Sequence, residues 1–216
     1  MACPSASATS SSPTSGASGR GDGPAILQAT PVIVITGPSG VGKGTLIRGL
    51  LERCPGVQLS VSATTRAPRE GEVNGRDYHF LTAEQFAERV ERGEFVEQAE
   101  YAGNRYGTLR SELERPAQGI VLEIDLQGAR QVRETLPGAT QVFIAPPTVE
   151  DLEARLRGRA SDSAEQIARR LDAAPIELAA QEEFSRVVVN EDVETALEEL
   201  VGLAARMCGP DSRDLP

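Results

Sequence analysis

The chain has 216 residues, 32 of them acidic and 22 basic, for a formal net charge of −10. That length suits one domain carrying small inserted subdomains, and such a surface repels polyphosphate backbones, so general nucleic-acid binding is disfavoured while a local basic cluster can still hold a small anion. The three cysteines, Cys3, Cys54 and Cys208, lie far apart with no CxxC pair, which makes a poor disulfide framework or zinc site and points to a reducing compartment, the cytoplasm.

Residues 1 to about 29 are rich in Ser, Ala, Thr, Gly and Pro. They bury too little to offset their ordering entropy, so a disordered tail is expected. They lack a basic segment followed by an apolar one, so they are not a secretory signal. One folded domain is expected over 30–208, with a flexible tail at 209–216. The β-branched run 32–35 reads as a fully buried parallel strand, 36–42 as a turn and Lys43–Arg53 as a helix. The segment from about 60 to 115 breaks this rhythm. It holds strand-like pieces at 58–62 and 78–81, a turn at Asn74 and Gly75, and a helix over Ala83–Glu91, and it reads as an inserted subdomain. Alternation then resumes: strand 120–124, helix 128–135, strand 141–145, helix 149–156, a helix over 163–183 interrupted by Pro175, strand Arg186–Val189 and helix 193–207. The fold class is α/β, a parallel sheet covered by helices on both faces. No apolar run approaches the roughly 20 residues that cross a bilayer.

The chemistry starts after the first strand. Gly37, Pro38, Ser39, Gly40, Val41, Gly42, Lys43, Gly44 and Thr45 form a glycine-rich turn that opens a helix, the context of a nucleotide-phosphate loop. Curled glycines point successive N–H groups inward and make an anion nest at a helix N-terminus. Lys43 is the only lysine in the chain, all the other basic residues being arginine. A compact ammonium suits the β- and γ-phosphates of a triphosphate where a guanidinium fork is too bulky, which explains its survival in an arginine-biased sequence. The position after it is Gly44, where many such loops place a Ser or Thr on magnesium. Mg2+ would therefore be held by nucleotide oxygens and water, and Thr45 would touch the α-phosphate. Asp125 ends an apolar strand, where a carboxylate can face a metal–water shell or stand solvated.

A second cluster follows the loop. Arg66 and Arg69, stiffened by Pro68, suit a dianionic phosphate held by forked donors, unless they are merely exposed. Tyr78 and Tyr106 could add phenol donors. Glu97, Thr108 and Glu123 could supply acceptors and a hydroxyl, the pattern that meets guanine N1, N2 and O6. The single histidine, His79, has no nucleophile elbow near it.

From residue 31 to about 207 the motifs GPSGVGKGT, SVSATTRAPREGEVNGRDYHF, GNRYGT, VLEIDLQG, FIAPP and RVVVN resemble, in order, the guanylate kinase family. The resemblance implies a P-loop kinase core with a GMP-binding insertion at about 60–115 and a lid at about 157–170. It implies ATP and GMP as substrates, GDP as product and Mg2+ as cofactor; the acidic charge and the lack of a long apolar run argue against a nucleic-acid or membrane partner. It assigns GMP contacts to Ser62, Arg66, Arg69, Tyr78, Glu97, Tyr106, Thr108 and Glu123, and phosphate contacts to Arg155, Arg159 and Arg170. Glu123 and Ala160 depart from the family pattern, which usually has Asp and Gly there. Two other readings stand beside it. A same-fold kinase for another small phosphate, such as a ribose bisphosphate, would not need Glu97 and Thr108. A non-catalytic interaction module of the kind found in scaffolding proteins would not need the phosphate loop.

Overall fold

The computed structural model describes residues 30–101, 103–158 and 164–208. The tail expected at 1–29, the residues from 209 onward, Arg159 and Ala160 lie outside the described residues.

The elements run β1 (Val32–Thr36), α1 (Lys43–Arg53), β2 (Val57–Leu59), β3 (Ala63–Thr64), β4 (His79–Phe80), α2 (Ala83–Glu91), β5 (Phe95–Tyr101), β6 (Asn104–Leu109), α3 (Arg110–Leu113), β7 (Gly119–Glu123), α4 (Leu126–Thr135), β8 (Thr140–Ala145), α5 (Val149–Arg157), α6 (Ala164–Ala179), a 3₁₀ turn (Ala180–Glu183), β9 (Arg186–Val189) and α7 (Val193–Cys208). Five strands form one sheet in the order β2-β7-β1-β8-β9, and every neighbouring pair is parallel.

Side-chain alternation divides that sheet into two buried faces. Ile33, Ile35, Val121, Val142, Ile144 and Val188 pack with α1, α5, α6 and α7 on one side. Val32, Val34, Ile120, Leu122, Phe143 and Ala145 pack with Ala129 and Val132 of α4 on the other. Both faces being covered is why these strands read as unbroken apolar runs.

The second sheet, β4-β3-β6-β5, is inserted in the chain between β2 and β7. It has its own small core, in which the Phe86 ring stacks on Phe95 with centroids 4.4 Å apart, joined by Ala63 and Leu109. Thr82 caps α2 with a reciprocal Thr82–Gln85 hydrogen-bond box, satisfying two otherwise orphaned N–H groups. The insert also stands on the core. The Gln131 side chain of α4 accepts from the Gln98 N–H at 3.0 Å and donates to the Gln98 carbonyl at 2.6 Å, replacing a missing strand partner for β5.

Three expectations need correction. Thr36 belongs to β1 rather than to the turn. Of the piece expected at 58–62 within the insert, Gln58 and Leu59 belong to β2, which pairs with β7 in the core sheet, and 60–62 are not strand. Pro175 does not interrupt the penultimate helix, because α6 runs through it to Ala179. Ile167, Leu171, Ala174 and Leu178 pack against the core on either side of the proline, and that burial outweighs the lost backbone bond.

Candidate functional site

Gly37, Gly40 and Gly42 take φ values of 141°, 90° and 99°. Gly42 turns the chain from the loop into α1, and its carbonyl accepts from both Thr45 and Leu46. A Cβ there would stand 2.5 Å from the Asn190 amide nitrogen, so both the left-handed conformation and the space demand glycine. The amide that crowds it also holds the loop. Asn190 Nδ2 donates to the Val41 carbonyl at 2.8 Å, and Arg155 donates to the same carbonyl at 3.4 Å and to the Asn190 carbonyl at 2.9 Å. From α6, Arg170 donates to Ser39 Oγ at 2.9 Å. The Lys43 ammonium folds back over the loop and donates to the Gly37 and Pro38 carbonyls at 2.7 and 3.1 Å. At Gly44, by contrast, an added Cβ would meet nothing within 4 Å.

Two carboxylates border the loop. Asp125 caps α4, its Oδ1 accepting from the Gly128 N–H at 2.8 Å. Glu177 approaches from α6. Burial pushes its carboxyl up, and the Lys43 ammonium and Ser39 N–H pull it the other way.

The insert gathers the second cluster. Glu97 on β5 and Thr108 on β6 face each other in the ladder, and both are buried. The hydroxyl expected to donate to a guanine O6 donates instead to Glu97 Oε1 at 2.7 Å, orienting the carboxylate. Burial, opposed by that bond and reinforced by the nearby Asp125 charge, pushes the Glu97 carboxyl up to about 7. Gly128 admits it, since a Cβ there would stand 2.6 Å from Glu97 Oε2. Tyr78 and Tyr106 lie edge to face with centroids 6.2 Å apart. The Arg66 guanidinium stands 5.2 Å from the Tyr78 centroid and is paired with Glu72 at 2.8 and 3.0 Å. Glu72 also accepts from the Arg69 N–H at 2.7 Å, so one carboxylate shapes the whole turn that carries both arginines. The Arg69 side chain itself is exposed, and the Ser62 carbonyl accepts from the His79 N–H. Glu123, at the end of β7, borders a cavity of about 320 Å³ with Gly44, Ile47, Arg48, Leu51, Glu52 and Leu59.

Reading the sequence missed Asn190, Glu177, Glu72 and Gly128. Glu72, Gly128 and Asn190 lie inside the motifs that carry the resemblance, and Gly128 is also a glycine in the first turn of a helix. Among the described residues no group of three or more His, Cys, Asp or Glu is placed to hold a metal ion, and no helix is long and apolar enough to cross a membrane.

The guanylate kinase family model matches residues 29–205. A guanylate kinase of Synechococcus sp. (strain CC9311) is 58% identical over 170 residues, which is 77% of this chain and 90% of that one. One of Frankia casuarinae is 57% identical over 173 residues, 79% of this chain and 94% of its own. The crystal structure of guanylate kinase from Anaplasma phagocytophilum superposes with a TM-score of 0.65 at 30% identity, covering 86% of this chain and 89% of that one. A glycine-rich loop at the C-terminal edge of a parallel sheet, with an insert that carries a buried carboxylate–hydroxyl pair, thus coincides with extensive likeness in sequence and shape, and the chain belongs to the guanylate kinase family.

Proposed function

We propose that the chain transfers the γ-phosphoryl group of ATP to GMP, and to dGMP, giving ADP and the nucleoside diphosphate in the cytoplasm. The observation that carries this reading is the buried Glu97–Thr108 pair beside an intact phosphate loop. A buried carboxylate needs donors, and guanine N1–H and N2–H supply two adjacent ones. The insert, about 60–115, is the GMP-binding subdomain of a domain spanning 30–208. The segment at about 157–170 is its lid.

In the reaction an oxygen of the GMP phosphate forms a bond to the γ-phosphorus. The bond from that phosphorus to the bridging oxygen breaks, and its electron pair stays on ADP. The acceptor is already anionic, so no general base is required. Positioning and charge neutralisation carry the step. Arg66, Arg69, Tyr78 and Tyr106 would hold the acceptor phosphate, with Ser62 beside them. Glu97, Thr108 and Glu123 would read the base. Residues Gly37, Pro38, Ser39, Gly40, Val41, Gly42, Gly44 and Thr45 would wrap the donor phosphates while Lys43 exchanges its carbonyl partners for phosphate oxygens. Arg155 and Arg170, already held against the loop by Val41, Asn190 and Ser39, are within a side-chain swing of the same charge. Arg159 would join them from the lid.

The residues fit Mg2+ carried in on ATP rather than caged by protein. Gly44 offers open space and no hydroxyl, and Asp125 already spends one oxygen on Gly128, leaving it a role through water. The chemistry such a bound Mg2+ would supply is charge neutralisation of the donor phosphates.

The test measures ADP formation with GMP, dGMP, AMP, UMP and a ribose bisphosphate as acceptors. GMP should be favoured over AMP by roughly 10⁴ or more in kcat/KM, because AMP sets a lone pair against Glu97 and leaves it unpaired. Equal turnover of AMP and GMP sinks the assignment.

A further inference from the structure

Two chain segments join the inserted sheet to the core. Residues 60–62 lead from β2 into β3, and residues 114–118 lead from α3 into β7. One side chain, Glu112 on α3, reaches both. Its Oε2 accepts from the Val61 N–H of the entry segment at 2.8 Å. The same oxygen accepts from Arg115 Nη1 of the exit segment at 2.8 Å. Its Oε1 pairs with His79 Nε2 on β4 at 2.9 Å. Arg115 extends the tie by donating to the Leu59 carbonyl at the end of β2, 3.2 Å away. Gln58 donates to the Pro116 carbonyl at 3.0 Å, drawing the same two segments together. Glu112 is 6% exposed, although it lies on a four-residue helix. A carboxylate in so short an element is normally solvated, and burying one is costly unless it is fully paired. Burial opposes its charge, yet Val61, His79 and Arg115 together outweigh that and hold its carboxyl below the ordinary range.

We propose that Glu112 is the hinge clasp of the insert, a positioning residue that locks the entry segment, the exit segment and β4 into one unit and thereby sets the angle at which the GMP-binding insert meets the phosphate loop. The insert's other anchor is β5 against the core, where Gln98 pairs with Gln131 of α4 and Val96 packs with Val34, Ile120 and Leu122. With the clasp closed, the insert turns as a body about these two attachments. With it open, Val61 and Arg115 are released separately and the insert samples angles at which Arg66 and Glu97 no longer converge on one acceptor. Glu112 touches no substrate. It acts on GMP affinity through the fraction of molecules holding the competent angle. This inference rests on the reading that the insert binds GMP.

The variants are Glu112→Ala, which removes all three ties, and Glu112→Gln, which keeps the shape and an acceptor for Val61 but loses the charge facing His79 and Arg115. Arg53→Gln, which removes the exposed ion pair between α1 and α7, is the comparison in the core. KM for GMP and for ATP, kcat, melting curves and amide hydrogen exchange are measured on the full chain. If the competent fraction falls to about a tenth, KM for GMP rises roughly tenfold in Glu112→Ala. The rise should be smaller in Glu112→Gln, while KM for ATP stays within about twofold in both. Exchange should quicken at the Val61 amide and along 114–118 but not in β1 or β8. If Glu112→Ala does not fold, the Glu112→Gln pair of KM values and its exchange map decide alone. A folded variant that raises both KM values equally, or neither, overturns the clasp. So does one whose exchange quickens uniformly. An unmodified chain that does not phosphorylate GMP overturns the functional reading instead, and the two failures are distinguishable.

Discussion

At the scale of single residues, Glu97 and Lys43 make opposite demands on their surroundings. Glu97 is a carboxyl held at about 7, and under the proposed role it must be charged to accept from guanine. Below pH 7 GMP binding has to expel a proton, so KM for GMP should be roughly tenfold higher at pH 6 than at pH 8 from this group alone. The GMP phosphate, with a second ionisation near about 6, adds its own slope. Glu97→Gln separates the two: its KM is high at every pH, and only the phosphate slope is left. The stability effect has the reverse sense. A folded-state value raised above the ordinary 4.5 favours the native state at low pH, and that contribution is lost as pH rises through about 7. The ligand-free Glu97→Gln variant should therefore gain in melting temperature over the unmodified chain at pH 8 and not at pH 4. A gap independent of pH would show that Glu97 does not titrate there. Lys43, by contrast, must stay charged and compact. Lys43→Ala should lower kcat by at least about 10², the scale of one lost transition-state contact. Lys43→Arg should be poor as well, because a guanidinium cannot follow the ammonium into the space between the Gly37 and Pro38 carbonyls. Near-full kcat in either folded variant contradicts this placement.

At the scale of elements, the strand–loop–helix unit from Val32 to Arg53 was legible because the pattern that marks it is local. The β-branched run, the glycines and the apolar stripe of Leu46, Ile47 and Leu50 are neighbours in the chain. What grips the loop was not legible, because Arg155 and Asn190 come from positions 114 and 149 residues beyond Val41. The β5–β6 hairpin was missed for a different reason. Glu97, Gln98, Ala99 and Glu100 form a stretch of low β propensity, and the strand exists because β6 and the Gln131 side chain satisfy its backbone. The same lesson covers Pro175, where tertiary packing overrides a local rule. Gly44 is a local rule with room to spare. No neighbour requires glycine there, and it lies in α1 without a positive φ. Gly44→Ser should raise stability by about 0.5 kcal/mol through helix propensity. It should also lower the Mg2+ concentration needed for half-maximal rate, because it supplies the absent hydroxyl. Thermal melts and a Mg2+ titration check both effects, and an increased Mg2+ requirement would argue that the loop cannot present a side chain at that position.

At the scale of the whole molecule, two sheets with separate cores must cooperate on one reaction. The core sheet is buried on both faces, whereas the insert depends on a cluster of four buried residues, Ala63, Phe86, Phe95 and Leu109. Phe86 is fully buried and lies in the only stacked pair of that cluster, so Phe86→Ala should cost about 3–5 kcal/mol locally. The loss falls unequally. Val96 of β5 packs with Val34, Ile120 and Leu122 in the core, so the lower end of the insert keeps its footing while its centre loosens. The glycine-rich loop is held by Asn190, Arg155 and Arg170, which come from the end of β9, from α5 and from α6 rather than from the insert. Phe86→Ala should therefore raise KM for GMP by at least roughly tenfold, as the competent fraction falls, while a non-hydrolysable ATP analogue binds with near-normal affinity. Calorimetry should show a new low-temperature shoulder, departing from two-state melting, followed by a main transition close to that of the unmodified chain. Adding GMP should move the shoulder upward, because ligand binding stabilises only the ordered insert. A single transition shifted as a whole, with both nucleotides losing affinity together, would mean that the two sheets fold as one cooperative body and that the small core is not the independent unit its packing indicates.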